Sequence, residues 1–201
     1  MARYTGPKNK LSRKVGEDLG LRTNVLKLGR RLAVRPGQHG AKSRRKLSDY
    51  AIQLKEKQKL KFLYGILEKQ LRSLYEEASQ RKTATGATLL SLLERRLDNV
   101  VYRMGWAPTR ASARQLVNHG HVRINERKMS IPSYRVQVND VVSLKDSATN
   151  IPVVAELLKD GVVRVEWLER KAHIGKIVRA PLRNDIPEKI EEQLVIEYYS
   201  R

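Results

Sequence analysis

An α+β protein is predicted from three observations. Leucines at 60, 63, 67, 71 and 74 recur at spacings of three and four, which traces one face of a helix. A second apolar stripe, Leu93, Leu97, Val100, Val101 and Met104, and the Gly-bounded stretch Pro108 to Gly120 predict two further short helices. Beyond Gly120 the apolar period changes to two, in His121-Val122-Arg123-Ile124 and in the run Val136 to Leu144. The expected architecture is a helical N-terminal domain followed by a central module of two helices packed on a small antiparallel sheet.

Residues 1–48 read as a basic extension. Lys8, Lys10, Arg13, Lys14, Arg22, Lys27, Arg30, Arg31 and Arg35 are spread among glycine and proline, and Arg-Pro-Gly-Gln-His-Gly at 35–40 reads as turns. Lys42, Arg44, Arg45 and Lys46 follow. Sparse apolar content and high like charge argue against a stable core here in isolation. Such a segment either stays solvated or orders on an anionic partner, and the many uncompensated cations favour the partner.

Residues 49–91 form the helical domain. Ser48 is placed to cap its first helix, and Gly65 divides the leucine pattern into two helices. Lys55 and Lys59 fall one turn apart, as do Lys57 and Lys61, so the helix carries either a solvated lysine face or a phosphate-facing one. The polar stretch 80–86 is the expected boundary.

Residues 92–185 form the module. Arg96 and Arg103 lie seven apart on one helix face with Asn99 between them, and Gly105 ends that helix. Thr109 is the expected N-cap of the next helix, and Gly120 its stop. Arg110, just inside a helix start that already favours anions, is electrostatically misplaced unless a phosphate lies beside it. Arg114 follows one turn later. Asn125-Glu126 is the expected turn after the first strand. Pro132, Tyr134 and Val136 to Leu144 read as further strands, and Val163, Val165 and Trp167 as one more. Asp185 and Pro187 read as a last helix start.

The charge points to a partner class. Lys and Arg number 41 against 21 Asp and Glu, a net of +20 over 201 residues. Residues 1–91 hold +15 of it, residues 92–142 hold +5, and residues 143–201 are neutral. Nucleic acid is the first candidate, because each neutralised phosphate releases a counterion. No apolar run approaches the ~18 residues of a membrane span, and the N-terminus lacks the apolar stretch of a signal peptide, so no membrane partner is expected. The chain has no cysteine, which excludes disulfides and thiol catalysis. Aromatic residues are few for a protein that reads single strands by stacking.

Nothing in the sequence supports catalysis. His39, His119, His121 and His173 are scattered without a metal-binding carboxylate pattern, so neither metal nor cofactor is expected. His39 sits in a Gly-flanked turn, as a backbone or phosphate hydrogen-bond partner. Gly175-Lys176 lacks the upstream glycine of a phosphate loop.

At this point the chain resembles the bacterial small-subunit ribosomal protein S4 family. The resemblance rests on Ala-Arg-Tyr-Thr-Gly-Pro-Lys at the start, Pro-Gly-Gln-His-Gly at 36–40, Leu-Ser-Asp-Tyr at 47–50 and Leu54 to Lys59. It continues in Leu-Glu-Arg-Arg-Leu-Asp-Asn-Val-Val-Tyr-Arg-Met-Gly at 93–105, Ala-Arg-Gln-Leu-Val at 113–117 and Tyr-Tyr-Ser near the end. It implies that the central module binds RNA and that the protein is a non-enzymatic, primary binder of small-subunit ribosomal RNA. The family joins several RNA helices at one junction and nucleates assembly of the subunit body. It contacts ribosomal protein S5 and, with that protein and S12, affects decoding accuracy. The basic stretch Lys42, Arg44, Arg45 and Lys46 is implied to lie near the path by which messenger RNA enters. The C-terminal segment 186–201 is implied to pack on the helical domain, which suits an apolar face of Ile190, Leu194 and Ile196. A bacterial cytoplasmic ribosome is the expected location, ahead of an organelle ribosome.

The RNA-facing residues expected in the extension are Lys8, Lys10, Arg13, Lys14, Arg22, Arg30, Arg31, Arg35, His39, Lys42, Arg44, Arg45 and Lys46. Those expected on the first long helix are Lys55, Lys57, Lys59 and Lys61, and in the module Arg96, Arg103, Thr109, Arg110, Arg114 and Arg123. Two departures from the family pattern stand out. The extension lacks the zinc-binding cysteine cluster of many relatives, and Glu126 replaces the glycine that usually follows the turn asparagine. An RNA-modifying enzyme with the same module would need a catalytic domain that residues 143–201 are too short to supply. A free-standing RNA-binding or heat-shock factor is the remaining alternative.

Overall fold

The computed structural model describes residues 4–21, 28–41, 46–160 and 165–201. The chain divides into two compact units, Met1–Thr88 with Glu188–Arg201, and Leu89–Pro187.

The first unit is helical. Helix α1 (Lys8–Val15) lies in the segment expected to lack a core, yet it packs on α2 (Asp49–Tyr64). Leu11, Val15, Leu19 and Leu28 are buried. Leu11 and Val15 lie one turn apart on α1, and Leu19 follows beyond the left-handed Gly16, so these few apolar residues are all spent on burial. Ser48 caps α2, its hydroxyl accepting from the Ala51 N–H at 3.3 Å. Gly65 closes α2 in the left-handed region (φ 62°), where a side chain would be strained. Helix α3 (Glu68–Ser79) follows. Leu60, Leu63, Leu71 and Leu74 are buried as the spacing predicts, but Leu67 is exposed. It sits in the break after Gly65, where the helical register restarts.

The last helix, α9 (Glu192–Tyr199), packs along α2. Val195 is its buried anchor and Ile190, just before it, is buried too, whereas Leu194 and Ile196 are only half-buried. Tyr199 stacks on Tyr75 with centroids 4.8 Å apart. The Glu191 N–H donates to Glu56, and Gln53 donates to Glu197. Helix α4 (Thr85–Glu94) runs across the division between the units.

The second unit packs α5 (Leu97–Arg103) and α6 (Arg110–Asn118) on an antiparallel sheet. Its strands are β1 (Val122–Ile124), β2 (Arg127–Met129), β3 (Val141–Leu144), β4 (Leu168–Lys171) and β5 (Ile174–Ile177), in the order β2-β1-β3-β5-β4. Helices α7 (Asp146–Thr149) and α8 (Pro152–Asp160) join β3 to the β4–β5 hairpin. Val100, Val101, Met104, Ala113 and Val117 meet Val122, Val142, Trp167 and Ile177 in one core. Thr109 caps α6, accepting from the Ser112 N–H at 3.2 Å.

Three strand expectations are corrected. Pro132 and Tyr134 form no strand. Their carbonyls accept the N–H groups of Asp98 and Leu97 at 3.1 and 2.8 Å, and so satisfy the open start of α5. The run from Val136 becomes regular strand only at Val141. Val163 lies outside the described residues, and Val165 and Trp167 precede β4 rather than form a strand. Asp185 and Pro187 start no helix either. Asp185 closes a 3₁₀ turn (Arg183–Asp185) and accepts two hydrogen bonds from Arg179.

Arg170, unremarkable in sequence, fastens the hairpin to both helical layers. Its guanidinium donates to the carbonyls of Ala172, Met104, Leu157 and Leu158 at 2.8–3.2 Å. The last turn of α8 and the end of α5 thereby gain a cation beside carbonyls that lack helical partners. No described helix is long and apolar enough to cross a membrane.

Candidate nucleic-acid interface

The arginines of the central module converge, although not as a row facing solvent. Arg103 donates twice to the Glu94 carboxylate, at 2.6 and 2.9 Å, and both residues are sealed from solvent at 2% and 0% exposure. The amide of Asn99 donates to the same carboxylate at 2.8 Å. Its carbonyl oxygen accepts from Arg110 Nε at 2.8 Å. Asp98 accepts from Arg96 through two hydrogen bonds and from Arg114 at 2.8 Å. Glu94 therefore answers Arg103, Asp98 answers Arg96 and Arg114, and Arg110 joins the group through Asn99. The group carries two more positive than negative charges.

Three of them already have carboxylate partners within the chain. Arg96, Arg103 and Arg114 are buried and committed to carboxylates, because an unpaired charge could not be buried at this depth. They order the module from within. Arg96 also precedes α5 instead of sharing a helical face with Arg103. Arg110 is different. It is half-buried, its guanidinium lies 4.6 Å from the centre of the Tyr102 ring, and Asn99 fixes its Nε. Its awkward place at the start of α6 is thus offset within the protein. Thr109 is buried, its hydroxyl engaged in the cap. Of the organising residues, Asn99 was marked only by its place between Arg96 and Arg103, and Glu94, Asp98 and Tyr102 carried no separate sequence signal.

The sheet supplies the exposed cations of this unit. Arg123 points away from the core between buried Val122 and Ile124, directly opposite Lys128 on β2. Arg127 and Arg135 are also exposed. Two like charges in register destabilise a free sheet. Lys128, Arg127 and Arg135 were missed because the alternation singled out β1 alone. The turn between these strands holds both Asn125 (φ 47°) and Glu126 (φ 69°) in the left-handed region. The paired-turn geometry is kept without glycine. Asn125 compensates by donating to Asp140 and accepting from the Val141 N–H, both at 2.9 Å.

In the helical unit, the lysine face of α2 is mostly internal. Lys57 and Lys61 donate to Glu68 at 2.7 and 3.0 Å. Lys59 pairs with Glu17 at 2.7 Å and Glu56 at 3.4 Å. Lys57 and Lys59 are buried and engaged with these carboxylates. Lys61 is half-buried in its pair, and Lys55 is half-exposed. Burial pushes the Lys59 ammonium down, but hydrogen bonds and charge from Glu17 and Glu56 outweigh it and hold it above the usual value. Burial likewise pushes the Glu68 carboxyl up, and the bonds from Lys57, Lys61 and Tyr199 more than reverse this. Tyr199, half-buried and donating to Glu68 at 2.9 Å, is held far above the ordinary phenol value.

Lys10, Lys14, Arg30, Arg31, Arg35, His39 and Lys46 are exposed, and Lys8 and Arg13 half-exposed. Arg13 donates to the carbonyls of Val34 and Arg35 at 2.9 and 3.2 Å, tying α1 to the turn before Pro36. Arg22, Lys42, Arg44 and Arg45 lie outside the described residues. Among the described residues no group of three or more His, Asp or Glu is arranged to hold a metal ion.

Residues 3–94 match the family of the ribosomal protein S4/S9 N-terminal domain, and residues 95–142 match the S4 domain. The chain is 50% identical over 208 residues to small ribosomal subunit protein uS4 of Chloroflexus aurantiacus, with all of both chains covered. It is 47% identical over 204 residues to the uS4 protein of Parabacteroides distasonis, again with complete coverage. With the uS4 protein of Methylobacillus flagellatus it shares 48% identity over 205 residues, covering all of this chain and 98% of that one.

Proposed function

The chain belongs to the ribosomal protein S4 family, and from this we infer that it is a non-enzymatic structural component of the small ribosomal subunit that binds small-subunit ribosomal RNA. The observation that carries the reading is full-length similarity joined to exposed cations mounted on the sheet, with Arg123 and Lys128 directly opposite each other. A-form RNA hides its base edges in a deep groove, so phosphate and shape contacts dominate its recognition. Cations mounted on a packed sheet and on short helices suit that mode, because their positions are set before binding.

We further propose that the protein is a primary binder that nucleates assembly of the subunit body. Its exposed and half-exposed cations, Lys8, Lys10, Lys14, Arg30, Arg31, Arg35, Lys46, Lys55, Arg110 and Arg123 among them, hold separate RNA helices at a fixed angle. His39 is a hydrogen-bond partner of the same RNA. Contact with protein S5, a functional link to S12 and decoding accuracy, and a place for Lys42, Arg44 and Arg45 beside messenger RNA belong to the same proposal, as does residence in the bacterial cytoplasm. The family pattern supports these assignments.

The test is filter binding of the full chain to purified small-subunit ribosomal RNA across a salt series, with sedimentation of salt-washed subunits. Affinity that falls steeply with salt, and retention in washed subunits, are expected. A protein that ignores this RNA at moderate ionic strength, or is lost from mature subunits, is something else.

A further inference from the structure

A cavity of about 370 Å³ opens in the helical unit, lined among the described residues by Asn9, Arg13, Leu28, Arg30 and Arg31. Its composition is unlike a packing defect. Defects in a core are small and apolar, whereas this space offers three guanidinium groups, one carboxamide and one buried leucine. Among the described residues no carboxylate lines it. Arg13 is held in place by its bonds to Val34 and Arg35, which use Nε and Nη2. The turn that carries Arg30 and Arg31 is fixed by the Arg31 N–H donating to the Leu28 carbonyl at 2.9 Å. The Asn9 carboxamide, on the first turn of α1, has no hydrogen-bond partner among the described residues.

The volume lies in the range of sites that take a small organic ligand. It is far more than the ~30 Å³ share of a water molecule. The chemistry is equally specific. Guanidinium groups pair with phosphate, and their planes accept a stacked base. A carboxamide donates and accepts, as the edge of a base requires. An apolar side chain covers the remaining ring surface. We propose that this cavity receives one nucleotide extruded from the bound RNA, with its phosphate on the arginines and its base edge on Asn9. The inference rests on the RNA-binding function proposed above and adds a site of single-nucleotide recognition to it.

Two charge-neutral substitutions test it in the full chain, Asn9→Trp and Leu28→Phe, each of which fills the cavity. Both variants are checked for native circular dichroism before binding to small-subunit ribosomal RNA is measured across a salt series, with chemical probing of the RNA. For either variant that keeps the native spectrum, affinity is expected to fall about tenfold, the loss associated with one stacked base, with the salt slope unchanged. One unpaired nucleotide protected by the wild type should regain reactivity. Wild-type affinity and an intact footprint in the folded variants would overturn the cavity assignment while leaving RNA binding in place. Failure of the wild type to bind RNA would instead overturn the function on which it rests. In parallel, AMP, CMP, GMP and UMP are titrated alone. Millimolar or weaker binding is expected, and tight binding of a free monophosphate that survives added RNA would show that the cavity serves a soluble nucleotide.

Discussion

Glu94 and Arg103 face each other through two hydrogen bonds of 2.6 and 2.9 Å, with neither group reached by solvent. They come from different helices, α4 and α5, and Asn99 on the same carboxylate passes the order outward to Arg110. A buried ion pair of this kind is weak evidence for stability in itself, but strong evidence that neither partner tolerates the loss of the other. Arg103→Met should therefore lower the unfolding free energy by about 3–5 kcal/mol. The double variant Glu94→Leu/Arg103→Met should cost less than the single one. Urea unfolding of the full chain gives both values, and additive losses would show that the two side chains are not coupled.

Capping residues and helix periods were legible because each acts within one turn of chain. Ser48, Gly65, Thr109 and Gly120 all sit at the ends the sequence implies. The partners of the arginines were not legible. Asp98 is two residues from Arg96 and sixteen from Arg114, and only the packing of α6 beside α5 makes it common to both. The same holds for Lys59 and Glu17, distant in sequence and joined by the contact of α1 with α2. A basic residue reveals its charge in sequence. Whether that charge is already answered depends on long-range contacts, and so the carboxylate partners of Arg96, Arg103, Arg114, Lys57 and Lys59 could not be read from the sequence.

Arg170 holds carbonyls from α5, α8 and its own hairpin. A lysine keeps the charge but cannot span these acceptors with one planar fork. Arg170→Lys should cost about 2–3 kcal/mol, the scale of a charge-assisted hydrogen bond lost with part of its network. Thermal unfolding reads the change, and an unaltered midpoint would mean that the ammonium reaches enough of the carbonyls.

Glu126 occupies a left-handed position (φ 69°) that glycine adopts without strain. Relief of that strain outweighs the extra chain entropy glycine brings to the unfolded state. Glu126→Gly should stabilise the protein by about 0.5–1 kcal/mol. A lower unfolding midpoint for this variant would show that the glutamate side chain supplies more than the strain removes.

Glu68 has a carboxyl held below its ordinary value, because Lys57, Lys61 and Tyr199 outweigh the effect of burial. A group with a depressed folded pKa adds stability above the unfolded pKa and loses it as pH falls through the folded one. The destabilisation caused by Glu68→Gln should be complete above about pH 5 and shrink steadily as the solution is acidified below it. Unfolding free energies of the two proteins between neutral and strongly acid pH give the comparison, and a difference independent of pH would assign the effect to packing.

Arg123 and Lys128 stand opposite each other across the β1–β2 pair, both exposed. In the free protein they repel, so Lys128→Gln should raise stability slightly, by about 0.2–0.5 kcal/mol. On RNA the same pair gathers phosphates, and the variant should bind small-subunit ribosomal RNA less well, its salt slope falling by about one. Arg123→Gln should behave alike. The opposite signs of the two effects separate a binding face from a merely solvated one, which would gain the stability and lose no affinity. Retention of the full salt slope in both variants would remove this face of the sheet from the interface.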